Sequence, residues 1–366
     1  MTDRTPARPL DRRTLDRRTL MVRGLQLGGF LAAGPLLAAC GSSSSAPAAG
    51  SSGGSKDFGT VSVRLSWIKN VEFAGSYVAD QKGYFTAAGF TGPATLIAGG
   101  PTATPIESDV LSGSALVGIS SPDITAAAIA QGAPLKIIGA EYQKNPFCIM
   151  SLAAKPISKP QDMYGKTIGV QSTNESVWAA FLKANSLDES KITKVPVQFD
   201  PLGLTTGEVD GWFSFVTNEP IELKAKGFDT TTMLFADNGY PLVSEVYVVT
   251  QDSIDKSRDK LTAFLTAQAK GWKDAIADAA LPAGYAVNVY GKDLGLDLAS
   301  QTAQSTAQNA LVMSADTKAS GLFTVSDTLL SQSMATLALG GSTVTAEQLF
   351  DLSLVNELYA GDASLK

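Results

Sequence analysis

Aromatic, amide and acidic side chains recur at the ends of apolar, strand-like runs of this chain, and their types suit the grip of a flat, polar ring. Trp67, Asn70 and Phe73 surround the turn after the alternating run Val61-Ser62-Val63-Arg64-Leu65. Gly99-Gly100 closes a second run, Ser121 and Asp123 follow a third, and Tyr142 stands near the end of a fourth. Asn174 and Glu175 come after Lys166–Val170, Trp212 lies on the run entering Thr217-Asn218-Glu219-Pro220, and Tyr240 precedes Leu242–Thr250. Aromatic faces orient a ring and contribute about 0.5–1.5 kcal/mol each beyond area burial. The amides of Asn70, Asn174 and Asn218 donate and accept, which suits ring nitrogens and exocyclic amines or carbonyls. Asp123, Glu175 and Glu219 accept from an amine, and Gly100 lets backbone approach a ligand or simply turn.

Most of these residues have a structural alternative. Trp67 and Trp212 can fill core beside a strand end. Thr217 and Asn218, and likewise Ser121 and Asp123, are good helix caps. Tyr84 and Phe85 read as packing beneath Gly83, Glu72 as a solvated helix turn, and Cys148 as a buried small hydrophobe.

Composition narrows the chemistry. The 366 residues contain no histidine and two cysteines. This removes Ser-His and Cys-His nucleophile systems and His-based zinc sites. It also leaves Cys148 as the one thiol outside the leader. The formal net charge is −6, so the basic footprint of a nucleic-acid binder is absent. An anchored enzyme working through Asp123 and Glu219 stays open at this point.

The N-terminus reads as an export signal. An Arg-rich start is followed by the apolar run Leu25–Leu37 and then Leu37-Ala38-Ala39-Cys40-Gly41. The last stretch resembles the bacterial lipobox, with residues 1–39 as signal peptide and Cys40 as the lipidated residue. Residues 40–57 form a Ser/Gly/Ala/Pro tether. The sequence Leu-Asp-Arg-Arg-Thr occurs twice, at 10–14 and 15–19, and the second copy resembles a twin-arginine signal. The expected location is the extracytoplasmic face of the cell membrane, held by diacylation.

Beyond the tether, strands alternate with helices. Runs at 61–65, 94–97, 116–119 and 135–140 form one unit, and a second begins around Phe147, with strands at 166–170, 195–199 and 211–216. Gly83 stands at a helix C-terminus, and Pro122 opens an Ala-rich helix. This is the pattern of doubly wound α/β sheets, which bind ligands outside the carboxyl ends of their strands. From Asp255 onward the chain is mostly helical, with Phe264, Trp272, Ala275 and Ile276 spaced as a buried face, and these helices are expected to pack on the first unit.

The segment Trp67-Ile-Lys-Asn70-Val-Glu72-Phe73-Ala74-Gly75, with Gly83-Tyr84-Phe85, resembles the thiamine-pyrimidine type of ABC-importer substrate-binding protein. So do Gly99-Gly100, Gly132-Ala-Pro134-Leu135-Lys136, Gly165-Lys166-Thr-Ile-Gly169-Val170 and Gly207-Glu-Val-Asp210. The resemblance runs from about residue 60 to residue 270. It implies a type II periplasmic-binding-protein fold of two lobes, 58–147 plus 248–366 and 148–247, closing about segments near Cys148–Leu152 and Val243–Val249. It implies a monomeric, non-enzymatic receptor without cofactor or metal, partnered by permease and ATPase subunits. Relatives of this type that act as pyrimidine synthases carry a histidine near the position of Phe73, and this chain has none. The expected ligand is a thiamine-type aminopyrimidine, with riboflavin as the alternative. Nitrate or an alkanesulfonate comes after these, because Lys69 and Lys144 are the only cations near the candidate loops.

Overall fold

The computed structural model describes residues 56–100 and 102–366. The expected signal peptide, twin-arginine motif, lipidated Cys40 and tether up to residue 55 lie outside the described residues.

Among the described residues, ten strands build two sheets. In chain order they are β1 Ser62–Arg64, β2 Thr95–Ile97, β3 Val117–Ser120, β4 Leu135–Tyr142 and β5 Phe147–Leu152, then β6 Thr167–Gln171, β7 Thr193–Val197, β8 Gly211–Phe215, β9 Thr230–Leu234 and β10 Ser244–Thr250. The first sheet has the order β2-β1-β3-β10-β4 and the second β7-β6-β8-β5-β9. Both are mixed: β1 is parallel to β2 and β3, whereas β10 runs antiparallel between β3 and β4. In the second sheet β6 is parallel to β7 and β8, and β5 is antiparallel to β8 and β9. This is an α/β architecture of two doubly wound layers. The first sheet is discontinuous in sequence, because β10 returns to it after the second sheet is complete.

The chain passes between the sheets at 143–146 and 235–243. The first crossing precedes the segment expected from sequence and the second shares only Val243 with it, because Phe147–Leu152 and Ser244–Thr250 are already paired strands. Asn145 ties the crossings together: its side-chain amide donates to the Tyr240 carbonyl at 2.7 Å, and its backbone N–H to Leu242 at 2.8 Å. Strand β9 escaped the sequence reading because its Thr-rich run lacks apolar alternation, yet it pairs with β5 over five residues.

Helices follow from capping and apolar spacing. Asn70 accepts from the Glu72 N–H and opens a single turn, Val71–Phe73, that continues into Ala74–Gln81. Gly83 then takes φ +70°, the left-handed conformation that stops the helix. The 27-residue helix Gln251–Ala277 opens with the Thr250 hydroxyl accepting from the Ser253 N–H. It packs against Ala74–Gln81 at a crossing made of small residues. A Cβ on Gly271 would stand 2.1 Å from the Gly75 carbonyl, and one on Gly75 would stand 2.2 Å from the Trp272 ring.

The later helices touch both layers. In Leu298–Val312, Gln308 bonds Tyr142 and the Val71 carbonyl on the first-sheet side, while Gln304 donates to Glu222 on the second-sheet side at 3.5 Å. Helix Asp327–Leu339 seats Leu337 in the core shared with Trp178 and Phe181 of helix Glu175–Ala184. No described helix is long and apolar enough to cross a membrane.

Candidate functional site

A cavity of about 370 Å³ opens between the two sheets. Its walls are the ends of the strands. Arg64 and Ser66 come from β1 and the turn after it, Ser120 and Ser121 from the end of β3, and Glu245 from the start of β10. The second sheet contributes Phe147 from the start of β5, Gln171 at the end of β6 with 172–174 after it, and Phe213 to Phe215 at the end of β8 with Asn218 and Glu219 after it. The parallel strands thus present their carboxyl ends to the cavity, as doubly wound sheets do.

One wall is aromatic. Phe147 meets Phe213 and Phe215 edge to face, with ring centroids 5.5 and 5.1 Å apart, and Trp67 lines the cavity from the first-sheet side. The loop after β2 forms another wall. Arg64 holds that loop, donating to the Ala98 and Thr104 carbonyls, and its Nε lies 3.0 Å from Asp109. Gly99 is required there, since a Cβ would fall 2.5 Å from the Leu65 and Ser66 backbone.

Carboxylates dominate the polar wall. The Ser66 hydroxyl lies 3.0 Å from Glu72 Oε1 and 2.8 Å from Glu245 Oε2. Asn218 reaches across from the second-sheet side and donates to Glu72 Oε2 at 3.1 Å. Burial pushes both Glu72 and Glu245 up from the ordinary carboxylate range, Glu72 partly relieved by Asn218 and Ser66, Glu245 pushed further by Glu72 itself. Glu245 also holds a left-handed backbone, φ +47°, at a non-glycine position. Glu219 accepts from the Phe215 N–H at 3.0 Å, and burial raises it to about 8. Glu107 accepts from Ser120 at 2.7 Å and Thr125 at 3.0 Å.

Of the residues singled out in the sequence, Trp67, Gly100, Ser121, Asn174, Asn218 and Glu219 line this cavity. The others stand elsewhere. Asn70 is a buried helix cap, and Phe73 is core against Tyr77. Tyr142 is buried and donates to Gln308 at 2.8 Å. Trp212 belongs to a small cluster with Met150, Leu204, Val209 and Leu223, and Glu175 is an exposed partner of Lys194 at 2.5 Å. Asp123 and Tyr240 face a separate cavity between helices Pro122–Ala130 and Glu175–Ala184. Asp123 accepts there from Ser121 and, at 3.4 Å, from Ser176.

Three local expectations change, the first being that Ser121 begins helix Pro122–Ala130 without a side-chain cap bond and donates its hydroxyl to Asp123 instead. Glu72 is 1% exposed, not on a solvated turn, because the Val71–Phe73 turn faces Ser66 and Glu245. Asn218 begins helix Glu219–Ala225 without a side-chain cap bond; its amide is spent on Glu72. Cys148 is fully buried, with Sγ 3.6 Å from the Ser214 hydroxyl, and burial pushes its thiol up. Arg64, Ser66, Glu72, Glu107, Glu245 and the three phenylalanines were missed as wall residues. Strand parity carried part of that information: Phe213 and Phe215 stand on the opposite face of β8 from Trp212, and at the strand's end Ser214 reaches the cavity as well.

Comparisons place this fold among known proteins. Residues 70–280 match the family described as NMT1/THI5 like. The riboflavin-binding protein RibY of Chloroflexus aurantiacus is 27% identical over 229 residues, 60% of this chain and 63% of that protein, so the match spans less than two thirds of the relative's length. Among solved structures, the periplasmic nitrate-binding protein NrtA of Synechocystis PCC 6803 superposes with TM-score 0.61 at 11% identity, covering 84% of this chain and 91% of that one. The aliphatic sulphonate binding protein SsuA of Escherichia coli gives 0.55 at 14% identity, covering 80% and 91%. Identities this low speak for the fold, which is that of periplasmic binding proteins. With more than half its length matched, the chain belongs to the NMT1/THI5-like family.

Proposed function

We propose that this protein is the substrate-binding component of an ABC importer and captures a small heteroaromatic compound, a flavin of the riboflavin type, between its two sheets. The observation that carries this reading is the cavity wall: Trp67 and three phenylalanines beside buried carboxyl groups, with one arginine already committed to the protein. A ring gains stacking and buried area from the aromatic wall, while its N–H and C=O groups meet Ser66, Gln171, Asn174 and Asn218. The volume, about 370 Å³, falls within the ~300–1,000 Å³ of sites that hold drug-sized ligands. It exceeds what a single substituted pyrimidine fills, and the RibY relative points the same way.

Nitrate and sulfonates fit poorly despite the fold neighbours that bind them. An oxyanion needs free cations or helix N-terminal amides converging on it. The starts of helices Pro122–Ala130, Glu175–Ala184 and Glu219–Ala225 do reach the cavity, but buried carboxyl groups share that wall and no free cation among the described lining residues accompanies them. Lys144 is paired with Asp237 at 2.8 Å, and neither Lys69 nor Lys144 lines the cavity. A thiamine-type aminopyrimidine is the second reading, favoured by the carboxyl pair, which suits an amino-substituted ring.

Capture works by closure. Only when the sheets approach do Trp67 and the phenylalanine wall act together, so the ligand biases the closed form and the permease reads it. The two lobes are the bodies that move in this reading, divided at the crossings 143–146 and 235–243 instead of at 147/148 and 247/248, because Phe147 pairs in the second sheet and Ser244–Thr250 in the first. Cys40 is the lipid anchor at the extracytoplasmic face, and the receptor acts as a monomer without making or breaking bonds. Melting temperatures with riboflavin, an aminopyrimidine, nitrate and taurine test it. A rise with riboflavin, as mass action requires of a native-state ligand, supports the reading, and a rise with nitrate or taurine alone refutes it. Release of the protein from membranes by Cys40→Ser tests the anchor.

A further inference from the structure

Glu72, Glu107, Glu219 and Glu245 all line the cavity and are 1%, 5%, 5% and 2% exposed. Arg64, the one basic residue among the described lining residues, is held by two carbonyls and Asp109. Glu107 and Glu219 are likewise engaged, by Ser120 and Thr125 and by the Phe215 N–H. Glu72 and Glu245 differ, because both converge on one hydroxyl.

Ser66 has a single proton to donate and two carboxyl oxygens within 3.0 Å. The set closes only when one of the two acids keeps its own proton and donates it, either to the Ser66 oxygen or to the other carboxyl. Two carboxylates sharing a dry site cannot both ionise freely. Glu141 and Tyr142 on β4, Tyr77 on helix Ala74–Gln81 and Glu219 across the cleft surround the pair, and none supplies positive charge. The result is a fixed array of acceptor oxygens with at most one donor, anchored to the opposite layer through Asn218.

We propose that the Glu72–Ser66–Glu245 unit is the specificity determinant of the cavity, accepting N–H or O–H donors from an uncharged heteroaromatic ligand and rejecting its phosphate ester. This rests on the heteroaromatic reading above. A phosphate monoester carries a charge of about −1.5 to −2 at neutral pH. Within this wall it would lose water without gaining a free cation, and would meet the carboxyl pair as a like charge. The importer would then take up the free compound, and a phosphatase-type reaction outside the cell must precede uptake of the ester.

The test is titration of the full-length protein at pH 7 with riboflavin and with riboflavin 5′-phosphate, for wild type, Glu245→Gln, Glu72→Gln and Trp67→Ala. Wild type is expected to prefer riboflavin by about tenfold or more, the glutamine variants to narrow that ratio by raising affinity for the ester, and Trp67→Ala to weaken both ligands alike. Equal wild-type affinities overturn the proposal and leave the receptor reading standing, as does an unchanged ratio in both glutamine variants that melt like wild type. Failure of wild type to bind either compound overturns both.

Discussion

At the scale of single residues, burial separates the side chains that can meet a ligand from those that only resemble such side chains. Trp67 lines the cavity, whereas Trp212 is packed behind β8 with Met150 and Leu204. Trp67→Ala is therefore expected to weaken ligand binding by about tenfold or more while leaving the melting temperature within a few degrees, as a titration and a melt will show. Trp212→Ala should do the reverse, costing roughly 3–5 kcal/mol of stability in denaturant unfolding. Cys148, fully buried with its thiol pushed up, should resist thiol reagents in the native protein and react on unfolding, which mass spectrometry of labelled peptides will check. Much of this was legible beforehand. Trp67, Gly100, Ser121, Asn174, Asn218 and Glu219 stand out as polar or aromatic residues at strand ends, and the cavity lies at those ends. Glu72 was not legible, because a glutamate one turn into a helix looks solvated until the tertiary partners Ser66, Asn218 and Glu245, the last 173 positions away, enclose it.

At the scale of elements, alternation marked most strands to within two residues, whereas the helices after Asp255 were read only as a mostly helical region without bounds. Glycine and proline punctuation marked helix ends earlier in the chain, as at Gly83 and Pro122. Tertiary pairing supplied what local pattern lacked. Thr-rich β9 exists because β5 offers it five partners, and β10 sits between β3 and β4 because the chain returns from the second sheet. The helix crossing at Gly75 and Gly271 is equally non-local, since nothing near Gly271 in sequence announces that Gly75 and Ala79 press against it. Gly271→Ala should overpack this crossing and cost about 1–3 kcal/mol, read as a lowered melting temperature with the second sheet unaffected in hydrogen exchange.

At the scale of the whole molecule, the buried acids in and behind the cavity wall give stability a pH dependence opposite to that of most acid-paired proteins. Glu219 is raised to about 8 and Glu141 to about 7, both by burial. In the native state they keep protons that the unfolded chain has already released at neutral pH, so the native state binds more protons and unfolding free energy falls as pH rises. The contribution is fully present below the ordinary carboxylate range and is lost between about pH 4.5 and pH 8. Melting temperature should decline across that window, and Glu219→Gln should flatten the decline; a rise in melting temperature from pH 5 to pH 8 would contradict the burial of these acids.

The central claim is that the cleft between the sheets takes a flat heteroaromatic ring. Its most direct test is a titration of the protein into riboflavin, followed by the flavin's own fluorescence. Saturable, one-to-one quenching is expected as the ring stacks on Trp67 and the phenylalanine wall, strongly reduced in Trp67→Ala and indifferent to excess nitrate. Unquenched fluorescence at all protein concentrations, with nitrate or taurine alone raising the melting temperature, would contradict it.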